Sequence, residues 1–243
     1  MYAIKNDTRF KARLICYGSK VDPNGLSTRA TVVKGISVRL LDLIAESQGL
    51  RILTGGIGNA FIQAKTKEQV FTRVGEEFGE YAGQIAIIVK ALYGLTTSAE
   101  KFRTLLADFL RTCGFTPSRY DRDVWMRLRE DKSGYAYICT HVDDFKVIDV
   151  SPEIWIDRIA GAFLIKSHGP RGYYLRNDYK YHDGQDIWTF GTKTYTDEAL
   201  SRVERIFGTL RHKSTPLPVE DCHLELDESL LLDFDGNRNF RCS

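Results

Sequence analysis

Tyr135-Ala136-Tyr137-Ile138-Cys139-Thr140-His141-Val142-Asp143-Asp144-Phe145-Lys146-Val147-Ile148 decides how the rest of this chain is read. Residues 135–142 are rich in aromatic and β-branched side chains and contain no Pro or Gly, the composition of a strand. Phe145 to Val150 is equally strand-like. Asp143 and Asp144 therefore fall at the tip of an expected hairpin. Successive strand residues face opposite ways, so a sharp turn is needed before both carboxylates approach one site. Two carboxylates held close repel each other unless a cation neutralises them. Magnesium takes oxygen ligands and often joins one or two carboxylates to substrate phosphates. The plain alternative is an ordinary turn, because Asp is a common turn residue.

Around this hairpin the sequence predicts an α+β fold, an antiparallel sheet backed by helices. A strand is expected over 9–17, where Lys11 and Arg13 share a face. A helix is expected over 36–48, with Ile36, Leu40, Leu41, Leu43 and Ile44 inward, followed by a strand over 50–54. Strands are expected over 69–74 and 84–90, and the apolar run Ile85-Ala86-Ile87-Ile88-Val89 suits a buried one. Thr97-Ser98-Ala99-Glu100 reads as a capping box for a helix whose core stripe includes Phe102, Leu106 and Leu110. Ser151-Pro152 opens another helix, with Trp155, Ile159 and Phe163 on one side. A strand over 123–128, a hairpin over 173–190 and an amphipathic helix over 193–208 complete the pattern.

Composition bounds the function. At 243 residues the chain can bury a sizeable core. It is 43% hydrophobic and 27% charged, and no apolar run is long enough to suggest a membrane span. No apolar signal core follows the N-terminus, and the five cysteines show no paired Cys-x-x-Cys spacing. An intracellular protein, cytoplasmic or nuclear, is expected. Net charge is only +2, so any basic surface must be local. Arg202, Arg205, Arg211 and Lys213 form one such cluster, read either as a solvated face or as a contact for a nucleic-acid backbone. Residues 220–235 hold seven acids and no Lys or Arg, so they suit a solvated tail.

Several segments carry a resemblance. His141-Val142-Asp143-Asp144 resembles the Tyr-Val-Asp-Asp box of reverse transcriptases. Gly56-Ile57-Gly58-Asn59-Ala60-Phe61 resembles their Asp-x-x-x-Ala-Phe/Tyr box. Lys90-Ala91-Leu92-Tyr93-Gly94-Leu95 is similar to the segment that copia-type long-terminal-repeat retrotransposons carry before a long helix. Phe10 to Ile15 and Lys213 to Leu217 look copia-like as well. The resemblance implies a right-hand polymerase: fingers and a first palm segment over 1–95, a palm with the Val-Asp-Asp hairpin over 96–192, and a partial thumb helix with the acidic tail over 193–243.

It further implies RNA-directed DNA synthesis, with an RNA or DNA primer–template and a deoxynucleoside triphosphate as partners. Asp143 and Asp144 would be the catalytic metal ligands for Mg2+ or Mn2+. Lys11 and Arg13 would meet the triphosphate, and Phe61 would be the steric gate against a 2′-hydroxyl. The helix beginning at Thr97 would lie beside the nascent base pair, where the family usually has Lys-Gln and this chain has Thr96-Thr97. The sharpest departure is Gly56, which stands where the family has the first metal-binding Asp. Two-metal chemistry usually draws carboxylates from two strands, and no acid lies between Glu46 and Glu68 to replace it. Weak or absent metal binding is therefore expected, and polymerase activity is expected to be impaired. His141 is expected as a hydrogen-bonding neighbour of the carboxylates, since magnesium prefers oxygen. The family's further thumb and connection segments and its ribonuclease H domain are not in these 243 residues, which suits a decayed element. Other readings are an active polymerase with a compensating ligand, or a repurposed nucleic-acid-binding or structural subunit of a larger assembly.

Overall fold

The computed structural model describes residues 2–4, 10–12, 14–16, 18, 25, 27–183 and 187–209. They divide into two compact units, Met1–Phe190 and Gly191–Ser243.

The first unit is built on a six-stranded antiparallel sheet. Its strands are β3 (Arg51–Ile57), β6 (Thr116–Pro117), β7 (Val124–Leu128), β8 (Tyr135–His141), β9 (Asp144–Asp149) and β10 (Ile165–Pro170), in the order β10-β3-β9-β8-β7-β6. Strands β1 (Tyr2–Ile4) and β2 (Phe10–Ala12) pair with each other, as do β4 (Lys65–Arg73) and β5 (Ile85–Lys90). A three-stranded sheet holds β11 (Tyr173–Tyr174), β12 (Asn177–His182) and β13 (Ile187–Gly191). The helices are α1 (Gly35–Ser47), α2 (Ala60–Gln63), α3 (Ser98–Thr112), α4 (Glu153–Ala162) and, in the second unit, α5 (Lys193–Phe207).

Strand alternation gives the main sheet two covered faces. Ala136, Ile138, Phe145 and Val147 join Phe102, Leu106 and Leu110 of α3 and Trp155, Ile156 and Ile159 of α4 in one core. Tyr137, Cys139 and Ile148 face the other way, toward Val38, Leu41 and Ala45 of α1 and Tyr174 of β11. Each large side chain buried there contributes about 1.5–3 kcal/mol. The ring of Phe145 lies over Gly55, where an added Cβ would stand 2.4 Å from its Cζ. Only glycine admits that approach.

Several expectations are corrected. The inward face of α1 is Val38, Leu41, Asp42 and Ala45, while Ile36, Leu40 and Leu43 are exposed. The reason is a charge: Asp42 reaches a buried lysine of β9 and turns the helix by about one position. The apolar run of β5 is not buried; Ile85, Ile87 and Val89 are exposed, because β4 and β5 form a separate two-stranded sheet outside the main one. The capping box at α3 does not form. Thr97 makes no side-chain cap, and Ser98 Oγ donates instead to the carbonyl of Leu92 at 2.6 Å. Pro152, not Ser151, stands at the N-cap of α4, without a side-chain cap. The turn between β11 and β12 places Leu175 and Arg176 at φ +48° and +64°. That left-handed backbone is what a glycine would relieve at position 176.

Candidate functional site

The β8–β9 hairpin closes on the pair His141–Asp144, so Val142 and Asp143 form a two-residue loop. Val142 has φ +55°, a costly conformation for a β-branched residue, about 1–3 kcal/mol. The neighbours fix it. The amide of Ile57 donates to the carbonyl oxygen of Asp143 at 2.7 Å, which ties the tip of the hairpin to the end of β3. On β9, Asp144 lies in register with Gly56 of β3, and Ser167 of β10 pairs Gly56 from the other side.

An added Cβ at Gly56 would lie 3.2 Å from Asp144 Oδ1. The position resembling the family's first Asp thus faces the Asp144 carboxylate directly. Both open into a cleft of about 710 Å3, also lined by His141, Lys166, Ser167 and His168. Among its lining residues Asp144 is the single acid. Burial raises the Asp144 carboxyl above its ordinary range, and the charge of Asp143 adds to the rise. Lys166 and His141 pull it back. The His141 side chain makes no hydrogen bond among the described residues; its influence on Asp144 is electrostatic.

The donor set bears on the metal. Among the described residues no group of three or more His, Cys, Asp or Glu side chains could hold an ion. Asp144 lines the cleft and Asp143 does not, and Gly56 brings no side chain to it from β3. The residues present do not fit a two-ion centre.

Other expected contacts are distributed differently. Lys11 lies in β2, paired with Ala3, and Arg13 falls outside the described residues. Phe61, on α2, does not line the cleft; its ring packs 4.8 Å from that of Tyr93 and 6.5 Å from that of Phe102. Thr97 is fully buried, so its side chain cannot meet a nucleotide, whereas Thr96 is exposed. Arg202 and Arg205 are exposed on α5, and Arg211 and Lys213 lie outside the described residues. Sequence reasoning missed the support behind the hairpin. Lys146, two residues past Asp144, has no exposed surface. Its Nζ donates to Asp42 Oδ1 at 2.6 Å and to the Tyr179 hydroxyl at 3.3 Å. Tyr179 in turn donates to Asp42 Oδ2 at 3.1 Å, and Arg171, itself paired with Glu46, lies 3.8 Å from Asp42 Oδ1. The signal was present: a lone cation in a strand whose alternation leaves no solvent face.

Comparison with known proteins places this geometry. The reverse transcriptase (RNA-dependent DNA polymerase) family matches residues 1–189. The chain belongs to that family. Two retrovirus-related Pol polyproteins of Arabidopsis thaliana, from transposons RE1 and RE2, are 28% and 27% identical over 175 residues, 69% of this chain. The chain spans 12% of the length of each. It is a reverse-transcriptase-like domain of the copia-type retroelement class. The match covers both the Asp143–Asp144 hairpin and the end of β3, which meet in the sheet.

Proposed function

We propose that this domain is a reverse transcriptase palm with fingers over 1–95 and the start of a thumb after 192, in which polymerisation is impaired at one position. The observation that carries the reading is the register of Gly56 against Asp144. RNA-directed DNA synthesis needs two divalent ions that stabilise the attacking and leaving oxygens. With one acidic side, the pair Asp143–Asp144 holds at most a weak Mg2+ or Mn2+ ion. Loss of a supporting group alone costs about 10–100-fold in metal affinity or activity, and loss of a direct ligand costs more.

The rest of the site keeps its shape. The hairpin tip is fastened to β3 through backbone, and Lys146 fastens β9 to α1. Partners are therefore those of the family, a primer–template and a deoxynucleoside triphosphate, with Phe61 packed as a rigid wall rather than poised in the cleft.

Primer extension with Mg2+ or Mn2+ tests the reading on the unaltered chain and on Gly56→Asp. Extension by the variant at least about 100-fold faster is expected. Comparable extension by both chains overturns it.

A further inference from the structure

The loop entering β7 reads Arg119-Tyr120-Asp121-Arg122-Asp123, a segment with no net charge in the sequence. Folding sorts its charges. Asp121 and Asp123 are buried. Asp121 Oδ2 accepts from the Lys34 amide at 2.9 Å and the Ser37 hydroxyl at 2.6 Å. Asp123 Oδ1 accepts from Arg103 Nε at 2.8 Å, and Oδ2 accepts from the Thr31 hydroxyl. Arg119 and Arg122 are left outside, exposed, with no side-chain ion pair or hydrogen bond among the described residues. Between them Tyr120 is 91% exposed.

Arg119 and Arg122 border a cleft of about 440 Å3 that also takes in Arg103 and Arg111 of α3, Ser118 and Trp125, and Tyr120 stands between Arg119 and Arg122 in the loop, beside that lining. Arg111 sits 5.5 Å over the Trp125 ring. Four guanidinium groups thus surround one opening; Arg103 is paired with Asp123 and Arg111 with Asp108 at 2.7 Å, so Arg119 and Arg122 carry its uncompensated charge. We propose that this cleft binds the phosphate backbone of a single-stranded nucleic acid. Guanidinium forks match phosphate oxygens two at a time. A positive groove with an aromatic ring on which a base stacks is how unpaired strands are held without regard to sequence.

The loop lies at the hairpin end of the sheet: Val124 pairs with Cys139, and the Thr140 amide donates to the Asp123 carbonyl at 2.9 Å. Its cleft opens on the α3 side of the sheet, opposite the face on which Asp144 and Tyr174 line the other cleft. The choice of nucleic acid over an acidic protein rests on the reading in the preceding subsection.

Anisotropy of a labelled oligo(dT) of about 20 nucleotides, titrated with the full chain, tests the site. Each phosphate contact on a single strand adds about 0.7 to the salt slope. Arg119→Glu/Arg122→Glu therefore lowers the slope by about 1.4, and its deficit against the unaltered chain narrows about sevenfold between 50 and 200 mM salt. Arg119→Lys/Arg122→Lys keeps most of the affinity, and matching circular dichroism melts show that the variants fold. Tyr120→Ala weakens binding about fivefold or more at all salt concentrations, as lost stacking requires. Equal affinity and slope in the charge-reversed chain overturns the proposal. So does displacement of the oligonucleotide by poly-L-glutamate at equal charge concentration, which marks an acidic-protein site. Arginine-dependent binding upholds the proposal even if Gly56→Asp fails to extend a primer, an outcome that removes the polymerase reading alone.

Discussion

An acid placed at position 56 is expected to create a metal-dependent stability greater than that of the unaltered chain. The Cβ of Gly56→Asp would meet Asp144 Oδ1 at 3.2 Å, so a shift of a few tenths of an ångström seats it. The new carboxylate then stands roughly 4 Å from that of Asp144. At an effective dielectric of ~20, two such charges repel by about 4 kcal/mol. Water in the open cleft screens part of this, since exposed pairs interact by only about 0–1 kcal/mol. A divalent ion present at 100 times its dissociation constant returns about 2.7 kcal/mol to the folded state. For a domain of this size that is a rise of about 5–11 °C in Tm. Comparing one chain with and without ion cancels the backbone term for losing a strand glycine. Differential scanning calorimetry in EDTA and in MgCl2 reads the difference. Gly55→Asp serves as the comparator: its Cβ falls 2.4 Å from the Phe145 ring, and it is expected to misfold rather than bind metal. A Mg2+-induced rise of equal size in the unaltered chain and in Gly56→Asp refutes the reasoning.

Three further outcomes are expected. Lys146→Ala leaves the buried Asp42 carboxylate with the more distant Arg171, at 3.8 Å, in place of its close partner and costs about 3 kcal/mol in urea denaturation, whereas Asp42→Leu/Lys146→Met costs far less. Burial pushes the Asp121 carboxyl up, but hydrogen bonds from Ser37, Lys34 and Asp123 outweigh it and hold the group below its ordinary 3.8. Its stabilisation is therefore present above that value and lost as pH falls through the folded one, so the stability gap between the unaltered chain and Asp121→Asn closes on acidification below pH ~4. Burial pushes the Cys139 thiol up to about 12, so iodoacetamide at pH ~8 alkylates it only after unfolding, as peptide mapping by mass spectrometry will show.

What the sequence discloses follows the range of each interaction. The hairpin was legible because Tyr135–Val142 and Phe145–Val150 carry their own strand preference and the turn needs only neighbours in sequence. The stripe of α4 was legible for the same reason. The empty position at Gly56 could be read from the motif, but its pairing with Asp144 is set by residues 88 positions away, and the register appears only in the fold. Long-range charge was the least visible. Nothing local tells that Asp42 turns inward and carries α1 with it, leaving Ile36, Leu40 and Leu43 outside. The same holds at Arg119 and Arg122, whose neighbouring acids cancel them in composition and are withdrawn from them in space. Capping failed for a related reason: Thr97 is enclosed by tertiary packing, which overrides a four-residue signature.

The forced bend at Val142 has an evolutionary consequence. Its shape is imposed by the flanking ladder and by the Ile57 amide, neither of which involves a side chain at position 56. Chemistry and scaffold are thus separable here. On the proposed reading, a lineage can lose an acid at position 56 and still inherit an intact frame, and Gly56→Asp would find that frame in place.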